Sequence, residues 1–408
     1  MASIRDFTIH VPRPKIERLK QKLALADLPD ELDDVDWQYG APLAHVSRLA
    51  SHWRTQYSWE QTEASLNQLP NYATTVSVDG FDPVEVHFLH QKSGVRNAIP
   101  LLFVHGWPGS FLEVTRLLPF LGGGDGDGDG GPAFHVVAPS LPNFGFSGAV
   151  KKAGFGLKQY AETCHKVMLA LGYEEYVTQG GDWGSTITRI MGEVYPTHVR
   201  ASHLNLVASL PPPPTSPFAF VTFLAKHMLN MYTPAEAAGL ERTQEVQKSG
   251  MGYYQLQTTK PQTIGYALAD SPVGLLAWIY EKLHEWTDEY AWTDDEVCTW
   301  ASMYYFSTAG PAASLRIYYE STRGSHPAGP GKYNPAVKLG LAYFPKEICR
   351  LPKAWASFLG PVAYLKEHER GGHFAAWEKP EALAGDLRVM FGKGGGAHSV
   401  VQGKSGYD

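Results

Sequence analysis

The feature that most constrains the fold is an alternation of strand-like and helix-like segments that begins near Thr74. The run Ile99–Val104 is apolar at every position, which is typical of a strand covered on both faces. Further strand-like runs lie at residues 76–88, 134–138, 176–179, 203–207, 337–344 and 362–365. Strands that alternate with helices indicate a mostly parallel sheet. We therefore predict an α/β fold.

Two stretches without strand signals divide the chain. Residues up to about 68 show only helical patterns, and strand signals stop again from about 211 to 320. We predict an N-terminal helical extension that packs on the core (1–72), a first part of the core (73–210), a helical cap (211–325) and a second part of the core (326–408). One interrupted core thus accounts for a chain of 408 residues.

A glycine-rich segment, Gly122–Gly131, lies between two predicted elements of the core. Its three aspartates have the spacing that begins an EF-hand calcium loop. The twelfth position of such a loop needs a bidentate glutamate, however, and here it is Val136. We therefore predict a flexible surface loop rather than a metal site.

The charge and cysteine content exclude several classes of protein. The net charge is −6 without a basic stripe, which argues against binding to nucleic acid or to an anionic membrane surface. No apolar stretch suits a signal peptide or a membrane-spanning helix, so we expect a soluble protein. The three cysteines lie far apart and no Asn-x-Ser/Thr sequon occurs, which favours a reducing, cytoplasmic location.

The most informative short sequence is Gly180-Gly-Asp-Trp-Gly184, between a predicted strand and a predicted helix. Gly-x-nucleophile-x-Gly in that position is typical of the nucleophile elbow of α/β-hydrolases, where a sharp turn leaves no room for a Cβ at the glycines. The nucleophile here is Asp182 rather than a serine. Taken alone, the five residues also fit a plain turn at the end of a strand.

The loop after the apolar strand supports the elbow interpretation. His105-Gly-Trp-Pro-Gly109 follows Val104 directly. In α/β-hydrolases this loop supplies one backbone N–H of the oxyanion hole, and the residue after the nucleophile supplies the other. The corresponding donors are the N–H groups of Trp107 and Trp183. We expect His105 itself to be a structural residue of the loop.

A histidine and a carboxylate complete the predicted constellation. His373 follows the strand-like segment 362–365, which is where α/β-hydrolases place the catalytic histidine. The acid comes between nucleophile and histidine in the chain, and Glu347, just past the preceding strand, is best placed. Glu367 and Glu369 are nearer in sequence but lie on the histidine's own loop.

An aspartate nucleophile limits the reaction. A carboxylate that attacks an acyl carbonyl forms an anhydride, whereas attack on an electrophilic sp³ carbon forms an ester that a histidine-activated water can cleave. Epoxides and haloalkanes are such substrates, and the indole N–H of Trp183 suits a halide. A serine esterase is disfavoured because no Gly-x-Ser-x-Gly occurs in the chain. A non-catalytic α/β-hydrolase relative that serves as a binding protein is a further alternative.

Longer motifs give a resemblance to a known family. The chain resembles the microsomal-type epoxide hydrolases, including their soluble fungal members, over nearly its whole length. The motifs that carry the resemblance in the extension and core are Phe7-Thr-Ile-His-Val-Pro12, His105-Gly-Trp-Pro-Gly-Ser110, Gly180-Gly-Asp-Trp-Gly-Ser185 and Gly371-Gly-His-Phe-Ala375. Those in the cap are Tyr253-Tyr-Gln-Leu-Gln-Thr-Thr-Lys-Pro261, Asp270-Ser-Pro-Val-Gly-Leu275 and Arg316-Ile-Tyr-Tyr-Glu-Ser321.

The resemblance implies an epoxide hydrolase that takes an epoxide and water and needs no metal or organic cofactor. In this reading Asp182 forms an ester with the substrate, His373 activates the water, and the charge-relay acid falls on Glu347. The N-terminal anchor of the family's membrane-bound members has no counterpart in this sequence. The oligomeric state is left open, with a homodimer as one option.

The resemblance also implies two tyrosines in the cap whose hydroxyls hold the epoxide oxygen. Carried over by motif, they fall on Tyr253 and Tyr318. Each has a tyrosine as its next neighbour, Tyr254 and Tyr319, which leaves a one-position ambiguity in both cases.

Overall fold

The structure is a computed structural model, and it describes residues 3–123, 130–324, 326, 329 and 332–408. Within these residues, nine strands form one sheet. The strands are β1 (Arg5–Asp6), β2 (Asn71–Val76), β3 (Val84–Gln91), β4 (Ile99–Val104), β5 (Phe134–Pro139), β6 (Tyr176–Gly180), β7 (Val199–Leu204), β8 (Lys338–Tyr343) and β9 (Val362–Glu367). Their order across the sheet is β1-β2-β3-β5-β4-β6-β7-β8-β9.

The strand directions confirm the predicted α/β fold with a mostly parallel sheet. β4 pairs in parallel with β5 and β6, and parallel pairing continues through β7, β8 and β9. All six residues of β4 are buried, as its apolar sequence predicts. β1, β2 and β3 form an antiparallel edge next to β5. The carboxyl ends of the parallel strands therefore meet at one edge of the sheet, where open α/β sheets bind their ligands.

Three parts of the sheet differ from the sequence prediction. The run predicted at 76–88 is two antiparallel strands, β2 and β3, joined by residues 77–83, which are not strand. β7 covers Val199–Leu204 rather than residues 203–207, because its pairing with β6 and β8 ends at Leu204. β1 has only two residues, too few to show a period of alternation, so no pattern predicts it. It exists because it pairs with β2, where Arg5 lies opposite Ala73.

Helices form the rest of the regular structure. The described α-helices are α1 (Arg13–Ala24), α2 (Leu43–Thr55), α3 (Trp59–Leu66), α4 (Leu112–Thr115), α5 (Leu118–Leu121), α6 (Leu157–Ala170), α7 (Asp182–Val194), α8 (Pro217–Met228), α9 (Pro234–Glu245), α10 (Gly252–Thr259), α11 (Pro261–Asp270), α12 (Pro272–Glu285), α13 (Asp294–Tyr305), α14 (Arg316–Ser321), α15 (Ala375–Glu378) and α16 (Pro380–Phe391). Short 3₁₀-helices lie at Asp36–Tyr39, Ala313–Leu315 and Lys353–Phe358, and a π-helical turn at Val246–Gly250. Helices α8 to α14 lie in the stretch that we predict to be the cap.

Capping residues determine where the main cap helices begin. α12 starts at Pro272, and the hydroxyl of Ser271 accepts the N–H of Gly274 (3.0 Å). Proline fits the first helical turn because its missing N–H would have no helical partner there. Ile279 and Leu283 of α12 are fully buried, so one face of the helix packs into the apolar core.

The N-terminal helices contact the helices of the predicted cap. α2 packs against α12 and α13, and the indole N–H of Trp53 donates to the hydroxyl of Ser302 (2.9 Å). Lys22 Nζ lies 2.6 Å from a carboxylate oxygen of Asp270. The extension therefore holds the cap in position above the core. The predicted domain boundaries themselves stay predictions, and the one at 325 falls on a residue outside the described part.

Three expectations about the surface and the thiols have different outcomes. Residues 124–129 of the glycine-rich segment lie outside the described residues, so the predicted loop stays a prediction. Among the helices that the structure describes, none combines the length and the apolar composition needed to cross a bilayer. All three cysteines are described, and each carries a free thiol. Within the described ranges, no three His, Cys, Asp or Glu side chains come together as a metal ion requires.

Candidate active site

Asp182 lies where β6 ends and α7 begins. Its φ is +47°, in the left-handed region that residues with a side chain rarely occupy, so the backbone here is strained. The turn is also tight, because a Cβ at Gly184 would overlap the carbonyl oxygen of Val104. The structure therefore has the sharp strand-to-helix turn that the motif predicts, with the aspartate side chain at its tip.

The loop after β4 holds the carboxylate of Asp182. The backbone N–H of Trp107 donates to Asp182 Oδ1 (2.7 Å). A Cβ at Gly106 would overlap that same oxygen, so the position requires glycine. The N–H of Trp183 lies in the first turn of α7, where helix N–H groups have no partner within the helix. Both N–H groups predicted for the oxyanion hole thus belong to backbone beside the carboxylate.

His373 lies between the two carboxylates predicted as its partners. Its Nδ1 is 2.6 Å from Glu347 Oε1, and its Nε2 is 3.4 Å from Asp182 Oδ2. The backbone N–H of His373 donates to the carbonyl of Trp286 at the end of α12 (2.8 Å), which ties the histidine loop to the cap. Glu347 Oε1 also accepts the N–H of Ile348 (2.7 Å). The imidazole of His373 therefore lies between the carboxylates of Glu347 and Asp182.

Burial and charge act in opposite directions on the pKa of His373. Burial of the ring lowers the pKa, whereas the carboxylates of Glu347 and Asp182 raise it, and the net pKa lies well above the ordinary value. The imidazole therefore holds a proton at neutral pH while both neighbours are negative. Each of the two negative charges therefore contributes to the raised pKa of His373.

The other two candidate acids lie away from the histidine ring. Glu367 is the last residue of β9 and pairs with Lys353 (2.8 Å), and Glu369 is exposed. β8 and β9 are parallel neighbours, so the loop after β8 meets the loop after β9 at the same edge of the sheet. This topology brings Glu347, and neither of the others, to His373.

Two tyrosines of the cap are buried above these core residues. Tyr253 lies on α10 and Tyr318 on α14, and their ring centroids are 5.9 Å apart. The ring of Trp107 stacks on Tyr253 (5.5 Å), and the ring of Trp183 meets Tyr318 edge-on (4.8 Å). Burial, with the negative charge of Asp182 nearby, raises the pKa of both phenols well above the ordinary value. Both therefore keep their protons and can act as donors.

The neighbouring tyrosines have different surroundings. Tyr254 is half-buried, with its ring edge-on to Tyr318 (5.6 Å). Tyr319 is half-buried, and the guanidinium of Arg323 lies 3.7 Å from its ring centroid. The structure thus places Tyr253 and Tyr318 against the tryptophans that flank the nucleophile. Which tyrosines act in the reaction stays a prediction.

A cavity of about 350 Å³ separates the core from the cap at this point. Its polar lining includes Asp182 from the core and the tyrosines from the cap, together with Thr186, Thr243 and Gln247. Its apolar lining includes Leu206, Val246, Met251 and Ile348. The Tyr318 hydroxyl makes no hydrogen bond of ordinary geometry to another described residue. A small apolar molecule with one hydrogen-bond acceptor fits such a site.

His105 fits the structural role that we predict for it. The N–H of Leu141 donates to its Nε2 (3.1 Å), and its Nδ1 donates to the carbonyl of Gly106 (3.0 Å). Burial lowers the pKa of His105 to about 4, so the ring is neutral. Both ring nitrogens are therefore used to hold the loop that carries Trp107.

Sequence reasoning missed two buried carboxyl groups that hold the loops of the site. Glu113 accepts the N–H of Ser110 in the loop after β4 (3.1 Å), and Glu378 accepts the N–H of Gly372 in the histidine loop (2.9 Å). Burial raises the pKa of each to about 7. The Ser-x-x-Glu spacing of residues 110–113 is a readable signal, since it is typical of a glutamate that bonds back to a helix start. Glu378 has no comparable signal.

Comparisons with known proteins identify the family to which the chain is similar. Residues 4–114 match the family model described as epoxide hydrolase N terminus, and residues 99–243 match that of the alpha/beta hydrolase fold. The chain is 35% identical to epoxide hydrolase 1 of the pig, Sus scrofa, over 96% of this chain and 89% of the pig protein.

Solved structures of two epoxide hydrolases are also similar to the chain. The epoxide hydrolase of Aspergillus niger matches with a TM-score of 0.80 and 29% identity, over 94% of this chain and 95% of that one. The juvenile hormone epoxide hydrolase of the silkworm Bombyx mori matches with a TM-score of 0.83 and 29% identity, over 95% and 93%. These matches confirm the resemblance read from the motifs. The chain belongs to the epoxide hydrolase family, whose members are hydrolases that act on ether bonds.

Proposed function

We propose that the chain opens epoxides to vicinal diols in two steps, through an ester between the substrate and Asp182. The observation that carries this proposal is the position of the Asp182 carboxylate. Its Oδ1 accepts the N–H of Trp107 (2.7 Å), and its Oδ2 lies 3.4 Å from His373 Nε2. A carboxylate held between a backbone donor and a histidine, at the wall of an apolar cavity, has the surroundings of a nucleophile whose ester is later hydrolysed.

In the first step, the carboxylate attacks an epoxide carbon from the core side. Oδ1 stays with the Trp107 N–H, so Oδ2 is the atom that forms the new C–O bond. The opposite C–O bond of the epoxide breaks, and negative charge develops on its oxygen. The hydroxyls of Tyr253 and Tyr318 donate to that oxygen from the cap side. A donor aimed at a developing oxyanion lowers the barrier by about 3 kcal/mol.

Formation of the ester prepares His373 for the second step. The neutral ester no longer has the negative charge of Asp182, which is one of the influences that raise the pKa of His373. The imidazole then gives up its proton, which ends on the oxygen of the opened epoxide and turns the alkoxide into a hydroxyl. The neutral ring, oriented by Glu347, next removes a proton from water, while the proton of the new carboxylic acid goes to the oxygen of the departing diol. The resulting hydroxide attacks the ester carbonyl, whose oxygen lies with the N–H groups of Trp107 and Trp183, and the diol leaves.

One experiment separates this function from its alternatives. Styrene oxide, aliphatic epoxides and haloalkanes are each offered to the wild type and to Asp182→Ala, and diol and halide are measured. We expect diol from the epoxides, no halide from the haloalkanes, and neither product with Asp182→Ala. Halide without diol would support a dehalogenase. Epoxide binding without turnover by the wild type would support a binding protein.

We also propose a reducing, cytoplasmic environment for the chain. The support is that Cys164, Cys298 and Cys349 all carry free thiols. Burial raises the pKa of the Cys164 thiol to about 12, so this group stays protonated and unreactive at neutral pH. The homodimer stays a prediction, and light scattering of the purified protein tests it by distinguishing 44.9 kDa from twice that mass.

A further inference from the structure

Lys282 of α12 is a charged residue in the apolar interior of the cap. Its side chain is only 3% exposed. Its Nζ lies 2.5 Å from Glu281 Oε1 and 4.8 Å from the ring centroid of Tyr253. The rings of Trp278 and Trp286 are next, each 5.9 Å from the ammonium. The ammonium therefore lies in an aromatic cage that includes one of the two cap tyrosines.

This burial has a cost that the cap does not need to bear. A lysine on a helix surface ordinarily extends its ammonium into water, because desolvation of the charge is unfavourable. Glu281 offsets part of the cost. Its own side chain is 24% exposed, however, so an ion pair with Glu281 does not require the ammonium of Lys282 to be buried. The ammonium instead lies beside the ring of Tyr253. This position points to an effect of the charge on the chemistry of that ring.

The effect of the charge follows from the proposed reaction, in which the phenol of Tyr253 acts as a donor. Burial and the nearby charge of Asp182 both make Tyr253 a weaker acid than an ordinary tyrosine. A cation beside an aromatic ring is attracted by the electron density of the ring. That density grows as the phenol gives its proton to the epoxide oxygen. The attraction is therefore stronger in the transition state than in the ground state, which is the condition for lowering a barrier.

Tyr318 has no such neighbour. Its ring contacts are with other rings, those of Trp107 (5.6 Å), Trp183 (4.8 Å), Tyr253 (5.9 Å) and Tyr254 (5.6 Å). Among the described residues, neither an ammonium nor a guanidinium lies over it. The two tyrosines thus have similar burial but different electrostatic surroundings.

We propose that Lys282 is a positioning residue that acts through Tyr253, and that it makes Tyr253 rather than Tyr318 the tyrosine that protonates the opened epoxide oxygen. This inference rests on the proposed function. The breaking C–O bond leaves its electron pair on oxygen, which takes the phenol proton of Tyr253, while Tyr318 only donates a hydrogen bond. The phenolate, beside Lys282, regains a proton through cavity water from the imidazolium of His373. The imidazole is then neutral, as hydrolysis of the ester requires.

A double-mutant cycle tests the proposal through the rate of ester formation in single turnovers. Lys282→Met keeps an unbranched side chain only one atom shorter and removes the charge, and we expect it to slow ester formation about tenfold or more. In a Tyr253→Phe background the same change should have no further effect, whereas in a Tyr318→Phe background the full effect should remain. Equal effects in both backgrounds would overturn the proposal, because a purely structural role does not distinguish the two tyrosines.

Two further variants control for packing and for the ion pair. Lys282→Arg keeps the charge, and its rate of ester formation should be close to that of the wild type. The cycle can therefore also be measured between the Arg and Met variants. Glu281→Gln keeps the ammonium and removes its partner, and it should not slow ester formation. If Glu281→Gln slows it as much as Lys282→Met does, the ion pair supports structure and the proposal fails. If Lys282→Met does not fold, as judged by near-UV circular dichroism, Lys282→Gln replaces it in the cycle.

The outcome for Lys282 is distinguishable from that for the proposed function. If no ester forms on Asp182 in the wild type, the proposed function fails whatever Lys282 does. If the ester forms at the wild-type rate in Lys282→Met, the function stands and only this inference is wrong.

Discussion

The core side and the cap side of the cavity are held together in different ways. On the core side, polar contacts of 2.6 to 3.4 Å join Asp182, His373 and Glu347. On the cap side, ring packing places Tyr253 and Tyr318, and the Tyr318 hydroxyl has no ordinary hydrogen bond to a described residue. The core side is therefore assembled before any substrate arrives. In the proposed mechanism, the oxygen of the substrate completes the cap side.

This difference separates the two chemical steps. Hydrolysis of the ester depends on the core side, whose groups already contact one another. In the proposed mechanism, ring opening needs Asp182 as the nucleophile together with the cap hydroxyls, which find their partner only in the substrate. Loss of the His373 or Glu347 side chain should therefore impair hydrolysis and spare ring opening, and loss of the cap hydroxyls should do the reverse, which gives each set of residues a kinetic signature.

The largest effect should come from the centre of the core side. His373→Gln leaves the nucleophile but removes the base, so the ester should form and then persist, with its hydrolysis slowed by about 10³–10⁴-fold. Mass spectrometry of the intact protein should show one added substrate mass that does not disappear. If the variant forms no adduct, or releases diol at the wild-type rate, the division between the two sides is wrong.

The cap side should show the opposite signature. Tyr253→Phe with Tyr318→Phe removes both hydroxyls and keeps both rings, so packing should survive while ester formation falls by about 10³-fold. Hydrolysis of ester that does form should keep its wild-type rate. Rapid-quench measurement of both steps provides the check. Tyr319→Phe is the matched control, and a loss in that variant rather than in Tyr318→Phe would move the assignment by one position.

A smaller effect on the core side sharpens the choice of acid. Glu347→Gln removes the negative charge that orients and supports His373, and it should slow ester hydrolysis by about 10²-fold with ring opening little changed. Glu367→Gln and Glu369→Gln serve as controls of the same chemistry. The assignment fails if either control accumulates the ester while Glu347→Gln behaves as the wild type.

The smallest effect concerns stability rather than rate. Glu113 has a folded-state pKa of about 7 against an ordinary value of 4.5, so the folded state favours its neutral form. The stability that this group contributes is present in full below about pH 4.5 and is lost as the pH rises towards about 7. Glu113→Gln carries a permanently neutral amide that can still accept the N–H of Ser110. Its Tm relative to the wild type should therefore rise between these two pH values, and a constant difference would contradict the shift.

The core side could be predicted from the sequence because its constraints are local. The glycines at positions 180 and 184 indicate a turn that leaves no room for a Cβ. Such a turn presents the side chain of the residue at its tip. Glu347 and His373 each follow a strand, and parallel strands bring the loops at their carboxyl ends together. Motif and topology thus suffice for these three side chains, whatever the distant packing.

The cap side could not be predicted from the residues alone. Successive residues of a helix point about 100° apart, and a Tyr-Tyr pair looks the same in composition whichever ring is buried. Only the packing of α10 places Tyr253, rather than Tyr254, against the ring of Trp107, and both were considered only because of the resemblance to a family. Lys282 has no sequence signal at all, because a lysine beside a glutamate on a helix ordinarily indicates an exposed face.

The central claim is that Asp182 is a nucleophile rather than a general base, and a single turnover in ¹⁸O-water with enzyme in excess tests it directly. If Asp182 forms the ester, the oxygen that joins the substrate comes from its carboxylate, and the oxygen of water is left in the aspartate. We predict mostly unlabelled diol, with the label in the peptide that contains Asp182. Direct attack by water would instead give labelled diol and an unlabelled peptide, and that result would contradict the account.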